Sequence, residues 1–88
     1  MALVFIPHAM RKLTNGQLET QIPGKNLREV IENLEKEFPG AAEYLLQDGN
    51  LKPGIAAVVG EQTTRQGLLH KIDDENTEVH FLPAIAGG

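Results

Sequence analysis

The sequence contains no cysteine, and this absence removes several kinds of chemistry. The chain has no thiol nucleophile, no persulfide-carrying side chain, no disulfide and no cysteine-based zinc site. Its three histidines, His8, His70 and His80, are too scattered for a recognisable zinc motif, so no metal site is predicted. Any chemistry must therefore use another group.

Basic residues are also few, eight against twelve acidic ones, which gives a net charge of −4. A nucleic-acid surface needs clustered lysine and arginine, so no nucleic-acid partner is predicted. Long apolar runs are missing: the longest, residues 2–6 and 55–59, are far too short to span a bilayer, and no membrane role is predicted. The N-terminus lacks the features of a secretory signal, so the cytoplasm is the expected location.

The length of 88 residues suits one domain with a single core and no sizeable internal substrate cavity. Function is therefore expected at the surface or at a terminus. No nucleophile, base and orienting group stand at a credible spacing, so the chain is predicted not to be an enzyme. Gly16, Gly24 and Gly40 are single turn glycines rather than a phosphate-binding loop, and no cofactor is expected to bind this chain.

The first half of the chain predicts a β-hairpin followed by an amphipathic helix. Residues 2–6 are β-branched and aromatic, and residues 17–22 alternate polar and apolar after an Asn-Gly turn signal. Asn26 is a good N-cap with Glu29 as its capping-box partner, and Pro39 ends the helix. The apolar face of the helix is expected in the core and consists of Leu27, Val30, Ile31, Leu34 and Phe38.

The middle of the chain predicts a short helix, a loop and a strand. Residues 41–46 suit a single helical turn, and residues 47–50 are typical of a loop. Residues 55–59 form a continuous apolar run between two glycines, which favours a strand buried on both faces.

Towards the C-terminus the sequence pattern that indicates secondary structure weakens and then returns. From residue 61 to 71 it is poor, and residues 67–69 are either a short edge strand or a loop anchored by its leucines. Residues 78–82 form a clear strand, in which His80 is expected at a surface or edge position. Pro83 ends this strand because proline donates no hydrogen bond to the ladder.

The order of hairpin, helix, further strands and a last strand favours an α+β fold. One main helix packs on a four- to five-stranded mixed sheet. This is the β-grasp (ubiquitin-like) arrangement, in which the first and last strands lie parallel in the middle. Residues 1–83 are expected to form this domain, and residues 84–88 a flexible C-terminal Gly-Gly tail.

The tail consists of Ala84, Ile85, Ala86, Gly87 and Gly88. It has little side-chain bulk and ends on a free carboxylate, so it can enter a narrow site on another protein. Fully extended, its five residues reach about 16–18 Å. We predict that all five enter a partner's active site, that the Gly88 carboxylate is the one reactive group, and that Gly87 lets it be reached.

The ending Leu-Pro-Ala-Ile-Ala-Gly-Gly, reached directly from a strand, resembles the end of the MoaD/ThiS family of ubiquitin-like sulfur carriers. Within this family the chain is most similar to the type linked to cysteine biosynthesis (CysO-like), which ends in Pro-Ala-(Val/Ile)-Ala-Gly-Gly. The likeness extends through most of the chain and includes Ile6, Pro7, Arg11, Thr14, Gly16, Asn26, Leu27, Val30, Leu34, Glu35, Phe38, Pro39, Gly40, Leu45, Gly49, Arg65, Gly67 and Leu68.

One stretch departs from that type. Its members usually have a Tyr-x-Asn run at the end of the third strand and then Asp-x-Arg, whereas this chain keeps Arg65 without the acidic neighbour. The departure leaves the identity of the downstream enzyme open.

The resemblance implies that the chain is a substrate and carrier. In the implied mechanism, a ubiquitin-activating-enzyme-like adenylyltransferase uses ATP and magnesium to join the Gly88 carboxylate to AMP. A sulfur donor then displaces AMP and leaves a C-terminal thiocarboxylate. A sulfur-accepting synthase, cysteine-synthase-like for the type that this chain resembles, receives the sulfur for cysteine, thiamine, molybdopterin or thiolated tRNA.

Two other functions stay open. A ubiquitin-like modifier would be conjugated through Gly88 to lysines of other proteins, and a non-catalytic β-grasp binding module would keep its activity without the last two glycines. Pro83 either aims the tail or only ends the strand. Partner contacts outside the tail have several candidates, each of which is otherwise an ordinary surface or core residue: the acidic turn at residues 73–75, Glu78, Arg11, Arg65, Lys71, Leu69 and Ile85.

Overall fold

A computed structural model describes residues 1–64, 68, 71–72 and 77–83. Its elements, in chain order, are strands β1 (Ala2–Phe5) and β2 (Glu19–Ile22), helices α1 (Leu27–Glu37) and α2 (Ala41–Leu45), and strands β3 (Leu46–Gln47), β4 (Asn50–Leu51), β5 (Ile55–Val59), β6 (Gln62–Thr64) and β7 (Thr77–Pro83). A 3-10 turn at His8–Met10 follows β1. Neither helix in the described ranges is long and apolar enough to cross a membrane.

Five of the described strands form one mixed sheet in the order β2-β1-β7-β5-β6. Strands β1 and β7 run parallel at its centre, with Val4 opposite Val79, and the other neighbouring strands are antiparallel. The predicted α+β class, the single main helix and the central parallel pair are confirmed. The arrangement is the β-grasp.

Helix α1 begins as the capping signal predicts. The Asn26 side chain accepts a hydrogen bond from the Glu29 backbone N–H at 2.9 Å. The Glu29 carboxylate accepts from the backbone N–H of Lys25 at 3.1 Å, so the reciprocal bond of the predicted capping box lies one residue earlier than expected.

The core lies between α1 and one face of the sheet. The predicted apolar stripe of the helix is buried, and Phe38 is buried just beyond the helix end. Alternate strand residues complete this core because side chains on a strand point to opposite faces in turn. The buried strand residues include Ala2, Val4, Ala57, Val79 and Phe81.

The connection between β1 and β2 is longer than predicted. Strand β2 begins at Glu19 rather than at residue 17, because the preceding residues fold into successive turns. In these turns the Gly16 N–H donates to the Arg11 carbonyl at 2.8 Å, and the Thr14 hydroxyl donates to the Gln17 carbonyl at 3.1 Å. Strand β1 ends one residue early, at Phe5.

Two strand features were not predicted from the sequence. Residues 47–50, predicted as a loop, form the inner part of the β3–β4 hairpin, whose turn residues Asp48 and Gly49 both have positive φ, 54° and 81°. Strand β6 pairs with β5 in the region of poor signal. Strand β5 itself is not buried on both faces throughout, because Ile55 and Val58 are half-buried.

The described residues before β7 are hydrogen-bonded to the first turn of α1 and to the segment just before that helix. The Arg28 N–H donates to the Leu68 carbonyl at 2.6 Å, and the Ile72 N–H donates to the Lys25 carbonyl at 2.9 Å. Leu68 and Ile72 are both buried. The Leu68 side chain is thus anchored in the core, while residues 67 and 69 lie outside the described residues.

Candidate functional site

Strand β7 leads to the predicted reactive terminus. Pro83 is still in register with Ile55 of β5, so the strand extends one residue past its predicted end, and it also begins one residue earlier, at Thr77. Because β7 is held by β1 on one side and β5 on the other, the sheet fixes the point from which the chain leaves the domain. The predicted tail residues all lie outside the described residues: Ala84, Ile85, Ala86, Gly87 and Gly88.

Of the other predicted partner contacts, some lie outside the described residues and some lie within them. Arg65, Leu69 and the acidic turn at residues 73–75 lie outside the described residues. Lys71 is exposed, and its backbone forms a bridge with Asn26, the residue just before α1. Arg11 lines a cavity at the C-terminal end of β7, whereas Glu78 is the second residue of that strand and lies at the end opposite the tail.

A cavity of about 540 Å³ opens at the end of the sheet where β7 leaves. Its walls come from the last residues of β7, the segment after β1 and the start of β5, and include Leu82, Pro7 and Ile55. Parallel strands place their carboxyl ends at the same edge, so the segment after β1 borders the exit of β7. The wall is mostly apolar, and in the described part of the chain no acidic side chain contributes to it.

Arg11 is the cationic side chain on this wall. The 3-10 turn brings it back beside His8, and Arg11 Nη1 lies 3.2 Å from His8 Nδ1. Arg11 Nε is buried and has no hydrogen-bond partner within the described part of the chain. The guanidinium therefore has hydrogen-bonding capacity that the described residues do not use. A buried donor without an acceptor costs free energy.

The sheet face opposite α1 is apolar along its centre. Phe5 and His80 stack across the parallel pair with ring centroids 4.1 Å apart and an interplanar angle of 8°. His80 Nε2 lies 3.2 Å from Glu78 Oε1, and Leu82 is 47% exposed beside the exit of the chain. We call this surface the open face and define it as Leu3, Phe5, Val58, His80 and Leu82.

The open face bears on one prediction and adds residues that the sequence did not single out. Of the two positions expected for His80, a surface or an edge, the structure shows the first: His80 lies on the open face of a central strand, half-buried and stacked on Phe5. The alternation in residues 78–82 could have indicated that Leu82 points away from the core. Its neighbours on β1 and β5 depend on strand register, which the sequence alone does not supply.

The described residues contain no group of three or more histidine, aspartate and glutamate side chains that could hold a metal ion. The site therefore consists of a strand that leads to the terminus, an apolar face beside it and a cavity with one guanidinium.

Comparison with known sequences gives matches along nearly the whole chain. A family model described as the ThiS family matches residues 4–88. The chain is 34% identical to the sulfur carrier protein CysO of Mycobacterium bovis and of Mycobacterium tuberculosis over 90 residues, which cover 97% of this chain and 96% of each relative.

Solved structures share the fold. A chain of the BexX/CysO complex of Amycolatopsis orientalis has a TM-score of 0.88 at 28% identity, with both chains covered completely. CysO of Mycobacterium tuberculosis has a TM-score of 0.89 at 31% identity over 97% of this chain and 100% of that one. The small archaeal modifier protein 1 of Methanosarcina acetivorans, at 20% identity and a TM-score of 0.68 over 99% of this chain and 95% of that one, is similar in fold alone. With a family match over residues 4–88 and relatives that align over 96% of their own length, the chain belongs to the ThiS family.

Proposed function

We propose that this protein is a sulfur carrier and that the Gly88 carboxylate is the group that carries the sulfur. Membership in the ThiS family and the likeness to CysO sulfur carriers support the proposal. The observation that bears most directly on it is the position of β7, a central strand that leads straight to the Gly-Gly end. A firmly held domain can then dock on a partner while the last five residues, which span about 16–18 Å when extended, enter its active site.

The chemistry requires that the carboxylate be activated. A carboxylate is a poor electrophile because its charge is delocalised and oxide is a very poor leaving group. A partner adenylyltransferase, similar to ubiquitin-activating enzymes, would use ATP and Mg²⁺ to join the Gly88 carboxylate to AMP and release pyrophosphate. Hydrosulfide then attacks the acyl carbon: a C–S bond forms, the C–O bond to AMP breaks, and AMP leaves with the electron pair.

The product is a C-terminal thiocarboxylate, which delivers sulfur as a nucleophile. The chain is then a substrate and carrier, and the nucleotide and magnesium belong to the partner. Because the ending resembles that of the cysteine-linked type, we propose a cysteine-synthase-like enzyme as the acceptor. We also propose the cytoplasm as the compartment. The open face, which borders the exit of the chain at Leu82, offers the apolar surface on which such partners would dock.

Exchange of labelled pyrophosphate into ATP tests the activation step. With a purified adenylyltransferase of the matching type, we expect the chain to support exchange and Gly88→Ala to lose most of it, since a Cβ obstructs the approach to the nucleotide. Leu82→Glu should raise the carrier concentration needed for half-maximal exchange, because it places a charge on the docking surface. Glu61→Ala, in an exposed turn at the far end of β5, is the control and should behave as the wild type. Undiminished exchange with Gly88→Ala would contradict the proposal.

The alternative of a ubiquitin-like modifier stays a prediction of the Gly-Gly ending. Lys71 is the last basic residue, so a tryptic digest of cells would leave residues 72–88 attached to a modified lysine. Finding that branched peptide would support conjugation.

A further inference from the structure

The cavity at the exit of β7 has no role in the proposed chemistry, yet its lining combines an apolar wall with a guanidinium. Its volume of about 540 Å³ lies within the range of cavities that hold small groups. Ile6, Pro7, Ile55 and Leu82 form the apolar wall, and Arg11 supplies the guanidinium. A group that fits this lining has a short apolar body and carries a negative charge.

Arg11 is held in place on this wall and lacks an anionic partner in the described part of the chain. Its Nε is buried, and its Nη1 lies 3.2 Å from His8 Nδ1. Glu19 lines a neighbouring cavity together with Arg11 but forms no ion pair with it among the described residues. Because the side chain is already ordered, little entropy is lost when an acceptor binds to it. A carboxylate is the acceptor whose geometry matches a guanidinium best.

The cavity is continuous with the open face, because Phe5, His80 and Leu82 belong to both. A protein surface seated on the open face therefore lies over the mouth of the cavity and can place one of its side chains inside. This continuity favours a side chain of a docked protein over a free small molecule as the occupant.

We propose that the cavity receives an aspartate or glutamate side chain of the partner adenylyltransferase, and that its carboxylate pairs with Arg11. The inference rests on the proposed function, because it names a contact with the enzyme that would activate Gly88. The methylene groups of the acidic side chain pack on the apolar wall. The docked surface excludes water from the ion pair, which strengthens the attraction between the two charges.

The ion pair also fixes the orientation of the carrier on the enzyme. Glu78 lies near the start of β7, four residues from Leu82 and thus about 13 Å away along the strand. A carrier turned end for end would bring the enzyme's carboxylate towards Glu78, where like charges repel. Arg11 lies at the end where the chain leaves the sheet, so the favoured orientation directs the terminus to the acidic side of the docking surface.

Binding of the full chain to a purified adenylyltransferase of the ThiS-carrier type, measured by calorimetry without ATP or sulfide, tests the contact. We expect Arg11→Gln to weaken binding by at least about tenfold, since it leaves the enzyme's carboxylate buried without a partner. The control Arg28→Gln removes the same charge from an exposed position on α1, the helix on the other face of the sheet, and should bind like the wild type. Circular dichroism checks that each variant is folded before its binding is compared.

A cross-link identifies the group that Arg11 meets and keeps the proposal testable if Arg11→Gln fails to fold. Arg11→Lys keeps the positive charge and supplies an amine. In the complex, a carbodiimide should join this amine to an aspartate or glutamate of the enzyme, and peptide mapping should locate the new amide bond at position 11. Arg28→Lys is the control and should form no amide bond to the enzyme at position 28.

The proposal is overturned if Arg11→Gln binds as tightly as the wild type, if the wild type does not bind the enzyme, or if position 11 forms no amide bond to it. It is equally overturned if Arg28→Gln weakens binding as much as Arg11→Gln, because the effect is then one of net charge. Sulfur transfer to Gly88 is a separate result. Without it the proposed function fails while the contact at Arg11 stands, and an unchanged affinity of Arg11→Gln removes the contact while the chemistry at Gly88 stands.

Discussion

Gly24 lies between β2 and α1 at a point where the structure has no room for a side chain. A Cβ there would stand 2.7 Å from Val30 Cγ2 and 2.8 Å from the Val30 backbone nitrogen. Val30 is fully buried in the first turns of α1, so neither atom can move without shifting the helix. The sequence predicted only a turn at Gly24, because this contact depends on how the helix returns onto the sheet.

We therefore expect Gly24→Ala to lower the free energy of unfolding by about 1–3 kcal/mol through overpacking. Chemical denaturation of both proteins measures the loss. Gly54→Ala is the matched control, since a Cβ at Gly54 meets nothing within 4 Å, and we expect no loss of stability there. Equal unfolding midpoints for the two variants would show that the close approach at Val30 is wrong.

At the scale of elements, Glu35 joins the two helices. Its carboxylate accepts hydrogen bonds from the Gly40 N–H at 3.1 Å and from the Ala42 N–H at 2.9 Å. The first N–H groups of a helix have no partner within it, so Glu35 on α1 satisfies donors at the start of α2. Residues 38–40, which are among those that resemble the family, form the turn between the two helices. The Glu35 carboxylate bridges this turn.

We expect Glu35→Ala to reduce the free energy of unfolding by about 1–2 kcal/mol, as the loss of a helix cap does. Thermal denaturation followed by circular dichroism measures the change. Glu32→Ala removes a carboxylate of the same helix from an exposed position and should change stability by less than about 0.5 kcal/mol. If Glu32→Ala proves as costly as Glu35→Ala, the assigned role of Glu35 does not hold.

An element could be predicted from the sequence when the interactions that form it lie within one short segment. Helix α1 was predicted with its N-cap because the apolar period and Asn26 lie within one stretch of sequence. Strand β6 was missed because its pairing with β5, rather than its own propensity, makes it a strand. The Asn-Gly signal at Asn15 marked a real turn, with φ of 55° at Asn15 and 84° at Gly16, but not the tight hairpin turn it favours.

At the scale of the whole molecule, the order of elements and the family resemblance predicted the β-grasp, and the structure confirms it. The surface around the exit of β7 was not predictable, because it joins residues that are distant in sequence. Phe5 stacks on His80 on the open face, and Pro7 and Arg11 line the same cavity as Leu82. This proximity follows from strand register and from the parallel central pair, which only the folded chain defines. The role of Gly88 stays a prediction from the ending of the sequence.

The claim that Gly88 carries sulfur is tested most directly by the intact mass of the protein. The purified chain is incubated with an adenylyltransferase of the ThiS-carrier type, ATP, Mg²⁺ and sulfide, and a sample without ATP is the control. The account predicts a mass increase equal to the replacement of one oxygen by one sulfur, located at Gly88 by fragmentation and absent without ATP. An unchanged mass with several such enzymes that convert their own carriers, or sulfur found at any other residue, would contradict it.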